Sequence, residues 1–65
     1  MNRYNVLMLR GQAFAESGKF DLGMRDFMEV KQVSGPQVGA TDYWILVCRY
    51  DGDKKRAQAE VTRMM

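Results

Sequence analysis

Apolar residues recur along this chain at spacings of three and four, and the pattern divides it into two pairs of segments. From Leu7 to Val30 the sequence reads LMLRGQAFAESGKFDLGMRDFMEV. Leu7, Gly11 and Phe14 fall on one stripe of a first predicted helix; Phe20, Gly23, Phe27 and Val30 fall on one stripe of a second. Such spacings keep side chains on a single helix face. Ser17-Gly18-Lys19 interrupts the pattern between them, and glycine is the usual residue where a helix ends left-handed. Gly11 and Gly23 stand inside the stripes. Interior glycine costs about 1 kcal/mol relative to alanine, so two on buried faces predict close backbone approach. The two segments therefore predict an antiparallel helical hairpin with facing seams.

The first helix is expected to run to about Glu16, with Asn2 or Asn5 as its N-cap. The second starts near Phe20 or Asp21, whose carboxylate suits the positive end of a helix. It stops near Val33, because Ser34-Gly35-Pro36 cannot continue it. Gln37-Val38-Gly39-Ala40 reads as loop or first turn. Thr41 and Asp42 both have N-cap chemistry, so the third segment begins somewhere from Val38 to Tyr43. Its body, Tyr43 to Tyr50, is dense in β-branched and aromatic residues and suits a strand on propensity alone. No other segment alternates with period two to pair with it. Asp51-Gly52-Asp53 marks another turn, with Asp53 as a cap. Lys54 to Met65 is rich in helix formers, with Ala57, Val61 and Met64 on an inner stripe and Lys54, Lys55, Arg56, Glu60 and Arg63 on the wet face.

The order Leu7, Gly11, Phe14, Gly18, Phe20, Gly23, Phe27, with Pro36 after the second helix, resembles the tetratricopeptide repeat. That repeat has a period of about 34 residues. One period on, Gly18 maps onto Gly52, Gly23 onto Ala57, Phe27 onto Val61, Phe14 onto Cys48 and Val30 onto Met64. The echo favours helix over strand for Tyr43 to Tyr50. It is one of residue class, and it departs at Ile45 for Gly11, Lys54 for Phe20 and Thr41 for Leu7. The resemblance covers roughly Tyr4 to Met65. It implies an all-α fold of four helices in two stacked antiparallel hairpins, forming one domain over residues 1–65. Repeat one spans about 4–37 and repeat two about 38–65.

Composition narrows the class of protein. With 46% hydrophobic residues, among them six Met, the chain has material for a core and is not low-complexity. The formal charge of +2 is mixed in sign along the chain and gives no strong push toward nucleic acid. Cys48 is the sole cysteine, so no intramolecular disulfide forms, and a reducing cytoplasm fits. Met1-Asn2-Arg3 leads into helix without a signal-peptide pattern. The longest apolar run, Trp44 to Cys48, is too short to span a bilayer, so no membrane partner is expected.

The residues offer little to catalysis. There is no histidine, the commonest general base and transition-metal ligand. One cysteine alone makes neither a thiol–imidazole pair nor a zinc site. Asp21, Asp26 and Glu29 can share a helix face, which is ordinarily a solvated surface. Asp51-Gly52-Asp53 begins like a calcium loop, but no ligand pattern follows and Lys54-Lys55-Arg56 would repel the ion. Neither enzyme activity nor a cofactor is expected. Lys54-Lys55-Arg56 on a helical hairpin also allows a helix-turn-helix reading with phosphate contacts, though three cations more often mark a solvated helix start. Met8, Met24, Met28, Met64 and Met65 either fill core gaps or offer an adaptable contact surface, Met24 and Met28 being the ones placed outside the hairpin seam.

The family resemblance implies a protein or peptide partner on a concave surface lined by the first helix of each repeat. By position that lining is Asn5, Met8, Gln12, Ala15 and Glu16, then Asp42, Leu46, Arg49 and Tyr50. Met8 and Gln12 stand where some family members carry a carboxylate clamp, so a clamp for a peptide terminus is not implied. The other expectation is an assembly role as a homodimer, since hairpins this short leave apolar residues such as Trp44, Val61 or the methionines at an open face.

Overall fold

A computed structural model describes residues 3–35 and 39–64. Four helices account for most of them: α1 (Arg3–Glu16), α2 (Phe20–Ser34), α3 (Ala40–Arg49) and α4 (Lys54–Met64). The described residues contain no strand. The chain is all-α, with each helix packed on the next. Asn2, Pro36, Gln37, Val38 and Met65, on which the first cap, the proline stop, part of the loop and one contact methionine were placed, lie outside the described residues.

The first hairpin forms where the apolar stripes placed it. Leu7, Gly11, Gly23, Phe27 and Val30 are buried. A Cβ at Gly11 would sit 2.6 Å from the Phe27 ring, and one at Gly23 would sit 2.9 Å from the Gly11 carbonyl oxygen. The two glycines thus let α1 and α2 meet backbone to ring and backbone to backbone. Arg10 fixes the register by giving two hydrogen bonds of 2.8 Å to the buried Asp26 carboxylate. Arg3 and Glu29 pair further along. Partners that fall in one helix as they rise in the other define an antiparallel pair. Gly18 closes the hairpin with φ +80°, a region costly to side-chain-bearing residues.

Phe14 is only half-buried, and Ala15 takes the core position instead. Asn5 lies inside α1 rather than capping it, because the helix already includes Arg3. At the start of α3 the N-cap is Gly39, not Thr41 or Asp42. Asp42 stands three residues in and reaches back, accepting the Gly39 N–H at 3.0 Å. The Thr41 hydroxyl turns to the Met8 sulfur at 3.7 Å. Asp53 caps α4 as its chemistry suggests, accepting the Arg56 N–H at 3.0 Å.

The second hairpin does not copy the packing of the first. The stripe Thr41, Ile45, Cys48, matched by the 34-residue echo to Leu7, Gly11 and Phe14, faces the first hairpin: Ile45 and Cys48 join Ala15 and Phe27 in one cluster. α4 docks on another face of α3, where Leu46 and Val47 meet Ala57 and Val61, with Tyr43 and Tyr50 beside them. Ile45 belongs to the first of these faces. It lies in the cluster with Ala15, Phe27 and Cys48, while the α4-facing side of α3 is Leu46 and Val47 with Tyr43 and Tyr50 beside them. Ile45 to Cys48 are consequently all buried, since α3 has neighbours on two sides. α4 packs on α3 alone among the described helices, apart from an ion pair between Lys54 and Glu16 of 2.7 Å. Met64, expected on the inner stripe, is 48% exposed. Val61 is buried and Trp44 half-buried, stacked on Phe27 with ring centres 5.9 Å apart.

Candidate functional site

A cleft of about 350 Å³ lies between α2, α3 and α4. Its floor is Ile45 and Leu46, and its walls carry Met28 from α2 and Met64 from α4. Both methionines are 48% exposed and border a floor that is itself buried. Met24, by contrast, packs against the core.

The polar edge of the cleft is internally organised. Lys31 donates to the Asp42 carboxylate at 2.9 Å, and the Gly39 N–H reaches the same oxygen. Burial pushes the Asp42 carboxyl up, but the Lys31 and Gly39 hydrogen bonds outweigh it and leave the group below its ordinary value. Glu60 is held by Arg63 at 2.8 Å. Tyr50 lies under the Arg56 guanidinium, 4.1 Å from ring centre to cation. Arg49 is exposed at the rim and is the cation there that ends in no ion pair among the described residues.

The structure divides the nine lining residues implied by the family resemblance. Asp42, Leu46, Arg49 and Tyr50 share this cleft, with Leu46 as floor and 7% exposed. Asn5, Met8, Gln12, Ala15 and Glu16 do not line it. Ala15 is buried in the core, Glu16 is tied to Lys54, and Met8 is half-buried against α3. The sequence reading missed Lys31 and Glu60 as lining residues and placed Met28 and Met64 without a common site. The spacing of Met28 to Lys31 and of Glu60 to Met64 puts each pair on one helix face, but only the position of α4 brings those faces together.

Two other hollows flank the helices. One of about 540 Å³ lies at the turn end of α2, where Lys19, Asp21, Arg49 and Asp51 make it charged. One of about 380 Å³ runs along the first hairpin over Phe14, Leu22 and the Arg10–Asp26 pair. Cys48, 4% exposed, is buried beneath the larger one, and burial pushes its thiol up. Of the run Lys54-Lys55-Arg56, Lys54 is engaged by Glu16 and Arg56 by Tyr50. Among the described residues no group of three or more Cys, Asp or Glu could hold a metal ion, and no helix is long and apolar enough to cross a membrane. Family models, curated proteins and solved structures contain no match to this chain.

Proposed function

We propose that this chain is a non-catalytic protein-interaction module, working in the reducing cytoplasm, whose partner is a peptide or helix seated between α2, α3 and α4. The observation that carries the reading is the pair of half-exposed methionines, Met28 and Met64, over the buried floor of Ile45 and Leu46. Methionine has three rotatable bonds and a polarisable sulfur, so two of them lining one cleft adapt to an apolar side chain of a partner. Arg49 at the rim adds a cation free to meet an acidic residue. The tetratricopeptide-like order of the first hairpin supports the same class of role, with Gly11 against Phe27 and Gly18 in the turn. The second hairpin supports the site differently, by supplying Ile45 and Leu46 from α3 and Glu60 and Met64 from α4 to its lining.

Selection of displayed peptides against the folded chain tests the proposal. Enriched peptides should carry an apolar anchor and lose binding to Met28→Glu and Met64→Glu variants that keep parental helicity. Peptides that bind those variants as well as the parent, or no enrichment at all, would overturn it.

A further inference from the structure

α1 carries apolar residues on two faces, yet only one of them is covered. Its inner residues Leu7, Gly11 and Ala15 are buried, while the opposite face presents Val6, Leu9 and Ala13 to solvent. Leu9 is 60% exposed and Val6 43%. A second apolar stripe on a helix ordinarily meets a neighbour, as in α3 of this same chain, which lies between two. The charges of α1 strengthen the case. Arg3, Arg10 and Glu16 are its only charged residues, and each is paired inside the chain, with Glu29, Asp26 and Lys54 respectively. The outer face therefore presents no free charge, and the amides of Asn5 and Gln12 border one edge of it.

We propose that this face is covered by the same face of a second copy, with two α1 helices crossing antiparallel about a two-fold axis beside Leu9. The sequence of the stripe is self-complementary in that register. Val6, Leu9 and Ala13 are spaced three and four apart, as in a coiled-coil seam. About an axis next to Leu9, the two Leu9 side chains meet each other and each Val6 lies over the small Ala13 of the other copy. Two-fold packing brings like edges together, so Asn5 approaches Gln12 of the second copy and amide can bond amide. On the other edge the two Arg10 residues approach, each already neutralised by its own Asp26. A chain of net charge +2 thus associates through the helix face that carries no free charge. The stripe is far smaller than the roughly 800 Å² per partner of a standard interface, so the dimer is weak, with a dissociation constant above about micromolar. This surface lies away from the cleft and does not depend on it.

Sedimentation of the full chain from micromolar to near-millimolar concentration should show a monomer–dimer equilibrium, weakened about tenfold or more by Leu9→Glu. Val6→Ala alone should also weaken it, and Val6→Ala combined with Ala13→Val should restore it, because the pairing of large with small is preserved. Register is read by oxidation. Leu9→Cys should cross-link to itself, and Val6→Cys should cross-link to Ala13→Cys in a mixture but not to itself. All these positions are exposed, and parental helicity of each variant confirms its folding. A monomer throughout the concentration range, or self-cross-linking of Val6→Cys in preference to the mixture, would overturn the proposal.

Discussion

Gly11→Ala should destabilise the protein, although the same change in a typical helix interior stabilises it. Alanine exceeds glycine in helix propensity by about 1 kcal/mol, so propensity alone forecasts a gain. The added Cβ, however, would lie 2.6 Å from Phe27 Cε1 and 2.8 Å from Cζ. The Phe27 ring is wholly buried and stacked on Trp44, so it has no open space to enter. Overpacking of a filled core costs about 1–3 kcal/mol. The difference is a net loss of about 1 kcal/mol, which in a domain this size lowers the melting temperature by about 4–8 °C. Thermal melts by circular dichroism measure it directly. A double-mutant cycle assigns the cause: in a Phe27→Leu background the clash is gone, and Gly11→Ala should become neutral or stabilising. Gly11→Ala melting at or above the parental temperature in the wild-type background would refute the argument that this glycine exists to admit the ring.

The turn glycines should differ from each other. Both have positive φ, but a Cβ at Gly52 would meet Phe20 at 3.2 Å while one at Gly18 would meet nothing, so Gly52→Ala should cost more than Gly18→Ala in denaturant melts, each by about 1–2 kcal/mol from the backbone alone. Asp42 should mark the acid limb of stability. Its folded pKa is depressed, so its contribution is complete above the unfolded value of 3.8 and disappears as pH falls through the lower folded value. Asp42→Asn should therefore flatten the pH dependence below 3.8, and an unchanged acid limb would remove the Lys31 pairing as a stabilising contact.

The first hairpin was legible because its information is local. Leu7, Gly11, Gly23 and Phe27 announce a face by spacing, and small residues announce how near the helices come. α3 was ambiguous for a physical reason: a helix packed on two sides loses its polar face, and Ile45-Leu46-Val47-Cys48 then looks like a buried strand. Matching α3 to α1 through the 34-residue echo did not locate the face that meets α4, which centres on Val47 with Tyr43 and Tyr50 beside it. That stripe has helical spacing too, and it was the available signal. The cleft was legible only in part, since Asp42, Leu46, Arg49 and Tyr50 appear in it but its methionine walls depend on where α4 lands. Caps followed the same division. Asp53 was readable from its neighbours, whereas Asp42 works backward onto Gly39, a geometry that residue type alone does not separate from a cap.

The attachment of α4 to α3 alone gives the molecule a hierarchy of openings. Detaching α4 breaks the contacts of Ala57 and Val61 with Leu46 and Val47 and leaves the first hairpin and the Ile45–Cys48 cluster closed. Such a partial opening is reached at less free energy than global unfolding. The three-helix remnant would bare a second apolar strip while the outer face of α1 is still uncovered. A body with two sticky faces can extend indefinitely, where one with a single self-complementary face stops at a pair. If the proposed α1 pairing holds, the tether of the last helix is what separates a closed, reversible dimer from open-ended aggregation.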